Sequence, residues 1–324
     1  MNNQTLPLSG MRLVSPVIRD ACPPRPVRYN ERVRRLIVNA DDFGLTSGVN
    51  RAILEAHQSG VVTSATLMAN AAAFPQAIEL ARSAPELGLG CHVVLVDGAP
   101  LSNASQVSSL LHNGNAQFHE SLARFAVLAL RKRLDAEQIE REVTAQIRKI
   151  QSAGITVSHL DTHKHTHMFP SVLKPILRAA QKCGIAAIRN PFETVRLAHL
   201  VENPGSWKRW LEVRTLHRWA AQFHREVEAA GVATPDGTIG IVATGALGER
   251  WLKFLLQNLP EGTWELVCHP GYNDGGLQAV RTRLRAAREQ ELEALTSRDI
   301  RQVLSRRGVE LISYRALARG VIRP

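Results

Sequence analysis

Between His159 and Pro170 the chain reads HLDTHKHTHMFP, with four histidines and an aspartate inside nine residues. Imidazoles and carboxylates at that density are the donor set of a divalent-metal site, provided that distant partners complete it. In an extended segment Asp161, His163, His165 and His167 would share one face, and Thr162, Lys164 and Thr166 the other. Acids and histidines also close other apolar runs: Asp41 and Asp42 follow LIVNA, His92 lies in LGCHVVL, and His269 follows WELVC. Asp42, His92 and His163 supply one carboxylate and two neutral imidazoles. That set suits one divalent ion, Zn²⁺, Mg²⁺, Mn²⁺, Co²⁺, Ni²⁺ or Fe²⁺, and leaves positions open for water and substrate.

An open metal position acidifies water and polarises a carbonyl, and hydrolysis then needs a base for the water and an acid for the leaving group. Asp41, beside Asp42, is the expected base, and His269 in ELVCHPGYND the expected acid. Asp161 is placed to orient a ligand imidazole from behind. Asp274 and Arg283 are candidates to tune His269 or to touch substrate. His165 and His167 remain open between sugar contact, a second metal and solvent.

These groups need elements to carry them. Short β-branched runs recur at RLIVNA, 61–68, 89–96, 155–161, 186–190, 264–269 and 309–314. Between them lie helical patterns, clearest from Asp135 to Ala153, where Ile139, Val143, Ile147 and Ile150 fall on one face and Gly154 supplies the stop. Further helices are expected after Ser47, after Pro75 and from Pro170 to Cys183. Alternating strands and helices predict an α/β fold with a parallel sheet, either left open and doubly wound or closed as a single β/α barrel, distorted or seven-stranded; both gather the polar strand ends at one rim.

From Thr194 to Pro260 the pattern changes, and four of the five tryptophans, Trp207, Trp210, Trp219 and Trp251, fall there with Phe223 and Phe254 among basic residues. We expect a helical, aromatic-rich insertion over 194–260, either a cap packed on the barrel or a surface that grips an apolar ligand or a membrane interface. Residues 1–33 read as a flexible basic arm without the apolar core of a secretory signal. The catalytic domain is then 34–324.

Forty Lys and Arg against 29 Asp and Glu give a net charge of +11. Arginines in stretches such as RTRLRAAREQE, Arg281 to Glu291, alternate with acids as on a solvated helix face. Without a zinc finger, an RNA-binding aromatic signature or a helix-turn-helix, the charge does not predict nucleic acid, and an anionic bilayer fits it at least as well. Four dispersed cysteines, Cys22, Cys91, Cys183 and Cys268, suit reduced thiols. The expected location is cytoplasmic, with peripheral contact at the inner membrane face.

Four ordered strings carry a resemblance: IVNADDFGLTSGVNRAILEAHQSGVVTSATLMAN (Ile37 to Asn70), LGLGCHVVL with PLS after it, HLDTHKHTHMFP and ELVCHPGY. Together, over most of 34–315, they resemble the YdjC-like carbohydrate deacetylases, which include chitooligosaccharide deacetylases. The resemblance implies a β/α barrel, a divalent metal on Asp42, His92 and His163, Asp41 as base, His269 as acid, and removal of an N-acetyl group from an amino sugar. The span 194–260, with ATGALGERWL inside it, is more similar to the hopanoid-biosynthesis-associated branch. That branch implies an N-acetylglucosaminyl hopanoid as substrate, with acetate and the glucosaminyl lipid as products. One alternative is a soluble chitooligosaccharide of the diacetylchitobiose type. An alternative of another class is a non-catalytic lipid-binding protein in which the histidines are incidental.

Overall fold

The structure is a computed structural model that describes residue 1 and residues 33–112, 116–193 and 207–319. The expected arm over 1–33 therefore lies almost wholly outside the described residues, as does Cys22. The architecture below belongs to the unit Glu31–Pro324.

Among the described residues seven strands form one sheet: β1 (Arg34–Phe43), β2 (Ser64–Leu67), β3 (Gly88–Val93), β4 (Leu160–Thr162), β5 (Gly237–Ile239), β6 (Gly262–Cys268) and β7 (Val309–Leu311). Every pairing is parallel, in the order β4-β3-β2-β1-β6-β5, with β7 beside the first half of β1. Helices follow in chain order: α1 (Ser47–Gln58), α2 (Phe74–Arg82), α3 (Leu122–Leu130), α4 (Ala136–Ser152), α5 (Pro170–Cys183) and α6 (Trp207–Leu216). After them come α7 (Ala220–Ala229), α8 (Glu249–Gln257), α9 (Gly275–Gln278), α10 (Ala286–Thr296), α11 (Arg298–Arg306) and α12 (Tyr314–Ala318). Among the described residues no helix is long and apolar enough to cross a membrane.

Local chemistry explains the clearer elements. Asp135 caps α4 by accepting N–H bonds from Glu137 and Gln138, and Ile139, Val143, Ile147 and Ile150 are fully buried along one face. Pro170 opens α5, and Gly184, at φ +71°, closes it in the left-handed region.

The sheet curls, and its ends meet through isolated bridges rather than a continuous ladder. Residues 186–190, expected as a strand, supply them: Leu160 N–H donates to Ala187 O, Arg189 N–H to Leu160 O, and Ile188 N–H to Ala233 O. Glu193 then pairs with Thr238 of β5. This half-barrel with a bridged seam is the form the expected β/α barrel takes. Strand β4 is also shorter than the run at 155–161 suggested.

The expected 194–260 insertion needs correction. Residues 194–206 lie outside the described residues, and the remainder is not one element, because β5 belongs to the sheet and α8 packs against α10 and α11. Phe223 and Trp251 are buried, Trp251 stacks on Phe254, and Trp219 meets Phe169 edge-on. Trp207 is 54% exposed and Leu211 52%. The short β5 run escaped notice because GTIG carries little apolar signal.

The barrel interior is polar where an ordinary barrel is aliphatic. Tyr314, entering from beneath after β7, is fully buried, stacks on His159 with centroids 3.7 Å apart, and donates its hydroxyl to Glu265 at 2.6 Å. Gly90 on β3 makes room for that stack, since a Cβ there would lie 2.5 Å from His159 Cε1. Gly90→Ala is therefore expected to destabilise the fold by about 1–3 kcal/mol through overpacking. A urea midpoint equal to wild type would contradict this packing.

Candidate active site

Asp41 and Asp42 sit where β1 slips register against β2 between Ala40 and Phe43. Asp42 has φ +70°, a left-handed conformation that Asp tolerates better than most side chains. The irregularity matters because consecutive strand residues face opposite ways, yet here both carboxylates serve one mouth. Asp41 reaches inward to Arg189, and Asp42 reaches across to His92, His163 and Arg288.

His92 on β3 pairs in register with Asp161 on β4. Asp161 Oδ1 lies 2.8 Å from His92 Nδ1, so the Nδ1–H is held and Nε2 is left as a donor atom. His163 is the first residue beyond β4, and its Nδ1 lies 3.3 Å from His92 Nε2. Asp42 Oδ1 is 3.6 Å from each of those nitrogens. Ligands 2.0–2.2 Å from a common ion sit about 3.0–3.6 Å apart, so the three atoms fit a divalent ion at that vertex. Asp42 and His92 are buried and the His163 side chain is 22% exposed, which leaves one open side.

A second cluster, Asp41, His92 and Asp161, also gathers donor atoms, but a guanidinium already stands among its carboxylates. Arg189 Nη2 and Nη1 donate to Asp41 Oδ1 and Oδ2 at 2.6 and 2.8 Å; Nη1 is 2.7 Å from Asp161 Oδ2, and Nε is 2.9 Å from Glu265 Oε1. Burial alone would raise the Asp41 pKa, yet Arg189, with His92 and His269, holds it well below the carboxylate range. Burial likewise opposes ionisation of Asp42, and Arg288, His163 and His92 outweigh it.

The histidine-rich segment departs from the expected alternation. The run after β4 is a tight turn in which Lys164 and His165 are both left-handed, at φ 55° and 54°. His165 Nδ1 is buried without a partner, among groups that include Asp41, His167 and His269. His167 is fully buried; its Nδ1 is 2.6 Å from Thr162 Oγ1 and its Nε2 3.1 Å from Arg189 O, so both nitrogens are engaged within the protein. His159 lies deeper still, between Ser158 Oγ and Asn39 Oδ1, and Asn39 in turn donates to Asp41.

On the opposite wall, His269 Nε2 lies 3.8 Å from Asp41 Oδ2. Burial is the chief cause that lowers the His269 pKa to about 4, partly offset by Asp41 and Asp42. Asp274 is set apart from these groups: it caps α9 and pairs with Arg51 at 3.3 Å. Arg283 is exposed.

Arg189, Arg288, Glu265 and Glu291 were not foreseen. Arg288 is 1% exposed and donates from Nη2 to Asp42 Oδ2 at 2.5 Å, and Glu291 is 1% exposed beside His269. The stretch that reads as a solvated arginine-rich face thus buries two of its charges. The signal for Arg189 was its place at the end of AAIRN, another apolar run closing on a charge.

A family model described as YdjC-like protein matches residues 35–306. The chain belongs to the YdjC-like family. Among the proteins similar to it, a carbohydrate deacetylase of Geobacillus stearothermophilus is 37% identical over 283 residues, covering 87% of this chain and 97% of that protein. A carbohydrate deacetylase 1 of Listeria innocua serovar 6a is 32% identical over 287 residues, covering 87% and 100%. A crystal structure from Enterococcus faecalis V583, of a protein assigned to cellobiose-phosphate cleavage, superposes with a TM-score of 0.72 at 28% identity, covering 88% of this chain and 99% of that one.

Removing a ligand atom is expected to abolish ion binding, so Asp42→Ala, His92→Ala and His163→Ala should each lose Zn²⁺ in a calorimetric titration. Asp161→Asn should instead weaken it about 10- to 100-fold by unsettling the His92 tautomer. Unchanged affinity in the three alanine variants would remove the centre from this vertex.

Proposed function

We propose that this YdjC-like protein is a metal-dependent carbohydrate N-deacetylase, with one divalent ion on Asp42 Oδ1, His92 Nε2 and His163 Nδ1. The observation that carries the reading is the convergence of those atoms within 3.6 Å of one another, with one open side and Asp41 facing His269 beside it. When bound, the ion supplies Lewis-acid polarisation of an acetyl carbonyl and acidifies water.

The protein's own groups manage the protons. Asp41 Oδ2 is the atom that takes a proton from the attacking water, and Arg189 keeps that carboxylate ionised and fixed. Because Arg189 makes Asp41 a reluctant proton holder, the proton resides more readily on His269 Nε2, 3.8 Å away. From His269 it passes to the leaving amine as the C–N bond breaks, giving acetate and a free amino sugar. His165, with its buried unpartnered Nδ1, is the candidate sugar contact from the turn after β4.

The substrate we favour is an N-acetylated amino sugar of the chitooligosaccharide type, because the described aromatics Phe223 and Trp251 are buried and Trp219 packs on Phe169 rather than lining an apolar groove. The second reading, an N-acetylglucosaminyl hopanoid met at a membrane surface, draws on exposed Trp207 and Leu211, one turn apart on α6.

Acetate release from diacetylchitobiose and from a vesicle-borne glycosylated hopanoid separates the two. Asp41→Asn and His269→Ala should retain Zn²⁺ while turnover falls about 10²- to 10⁴-fold. Wild-type turnover in either variant would dismiss their proton-handling roles.

A further inference from the structure

We infer that one turn of helix α10 positions both halves of the site, Arg288 holding the carboxylate of Asp42 and Glu291 holding the backbone of His269 while standing near its imidazole. The inference rests on the deacetylase reading for its purpose, though not for its geometry.

Arg288 and Glu291 are three residues apart on one helix face, where opposite charges ordinarily pair with each other. Each instead reaches a different strand end. Arg288 Nη2 takes Asp42 Oδ2 at 2.5 Å, which leaves Oδ1 toward His92 and His163. Glu291 Oε2 accepts the His269 backbone N–H at 2.5 Å and lies 3.9 Å from its Nδ1. Arg288 Nη1, Glu291 Oε1 and His269 Nδ1 are all buried without partners. Such atoms are costly in a merely structural arrangement and are expected where groups are kept ready for water or substrate.

The surroundings are shaped for this arrangement. A Cβ at Gly271 would lie 2.9 Å from Arg288 Cδ and 3.1 Å from Val49 Cγ2, so the turn after His269 needs glycine for Arg288 to pass. Helix α10 is anchored by Val61 N–H donating to Leu295 O and Gly271 N–H donating to Arg288 O, with Leu292, Ala294 and Leu295 buried.

Arg288 shares the charge of Asp42, so that one oxygen alone serves the ion. Glu291 favours a proton on His269 Nδ1 and thereby keeps Nε2 turned to Asp41. The charged and titratable groups around His269 are Asp41 and Asp42 from β1, Arg189 from the seam, His165 from the turn after β4, and Arg288 and Glu291 from α10.

Zn²⁺ titration calorimetry on the full chain, with ¹⁵N-histidine NMR titrations of the Zn²⁺-loaded protein, tests the division of labour; His269→Gln assigns the His269 signals. Arg288→Met should weaken Zn²⁺ binding about 10- to 100-fold and raise the His269 midpoint. Glu291→Gln should leave Zn²⁺ affinity within about threefold and lower that midpoint by about one pH unit. Arg288→Lys and Glu291→Asp should each move back toward wild type, and they replace the first variants should those fail to fold. Unaltered Zn²⁺ affinity on loss of Arg288, or an unmoved His269 midpoint on loss of Glu291, overturns the inference. Should both shifts appear while wild type releases no acetate from any N-acetylated sugar, the positioning stands and the deacetylase reading falls.

Discussion

The buried guanidinium of Arg189 is the constraint on which the interior depends. It lies at 0% exposure between Asp41, Asp161 and Glu265, carboxylates from β1, β4 and β6. Removing one partner of such a buried cluster typically costs about 3–5 kcal/mol, because the remaining charge has no water to turn to. Replacing the whole cluster with well-packed aliphatic residues could match it in stability. It is best understood through what it orders: the same guanidinium holds Asp41, the proposed base, and Asp161, the carboxylate behind His92, so both halves of the proposed chemistry share one anchor.

A second guanidinium completes a separation of duties. Arg288 attends to Asp42 and Arg189 to its neighbour Asp41, so two adjacent carboxylates acquire different characters from different partners. Burial would drive both toward neutrality, and the two arginines keep both ionised. Asp161 and Glu265 border the same cation, yet there burial outweighs it and raises both.

Much of this was legible in the chain. Strands before Asp41, around His92 and before His269 announced themselves by β-branched runs, and α4 by its isoleucine and valine spacing. The gathering of Asp42, His92 and His163 was legible because each lies in or just beyond an apolar run. What escaped depends on long-range partners. Arg288 and Glu291 lie in a stretch whose alternating charges look solvated, and only the approach of the turn after His269 buries them. His167 stayed open between sugar, a second metal and solvent because period-two alternation was extrapolated past Thr162, whereas two left-handed residues fold the chain back and put that ring in the core.

The backbone at Asp42 limits what can stand there more severely than its chemistry alone would. A left-handed torsion favours glycine, asparagine and aspartate, and the ion proposed beside the two imidazoles would favour an anionic oxygen. The overlap of those two short alphabets is a single letter. Glutamate, the usual conservative exchange for an acid, fails on torsion, and asparagine or glycine would keep the bend while silencing the vertex. Either exchange would also strand the buried guanidinium of Arg288 without its carboxylate, so the fold itself guards that position.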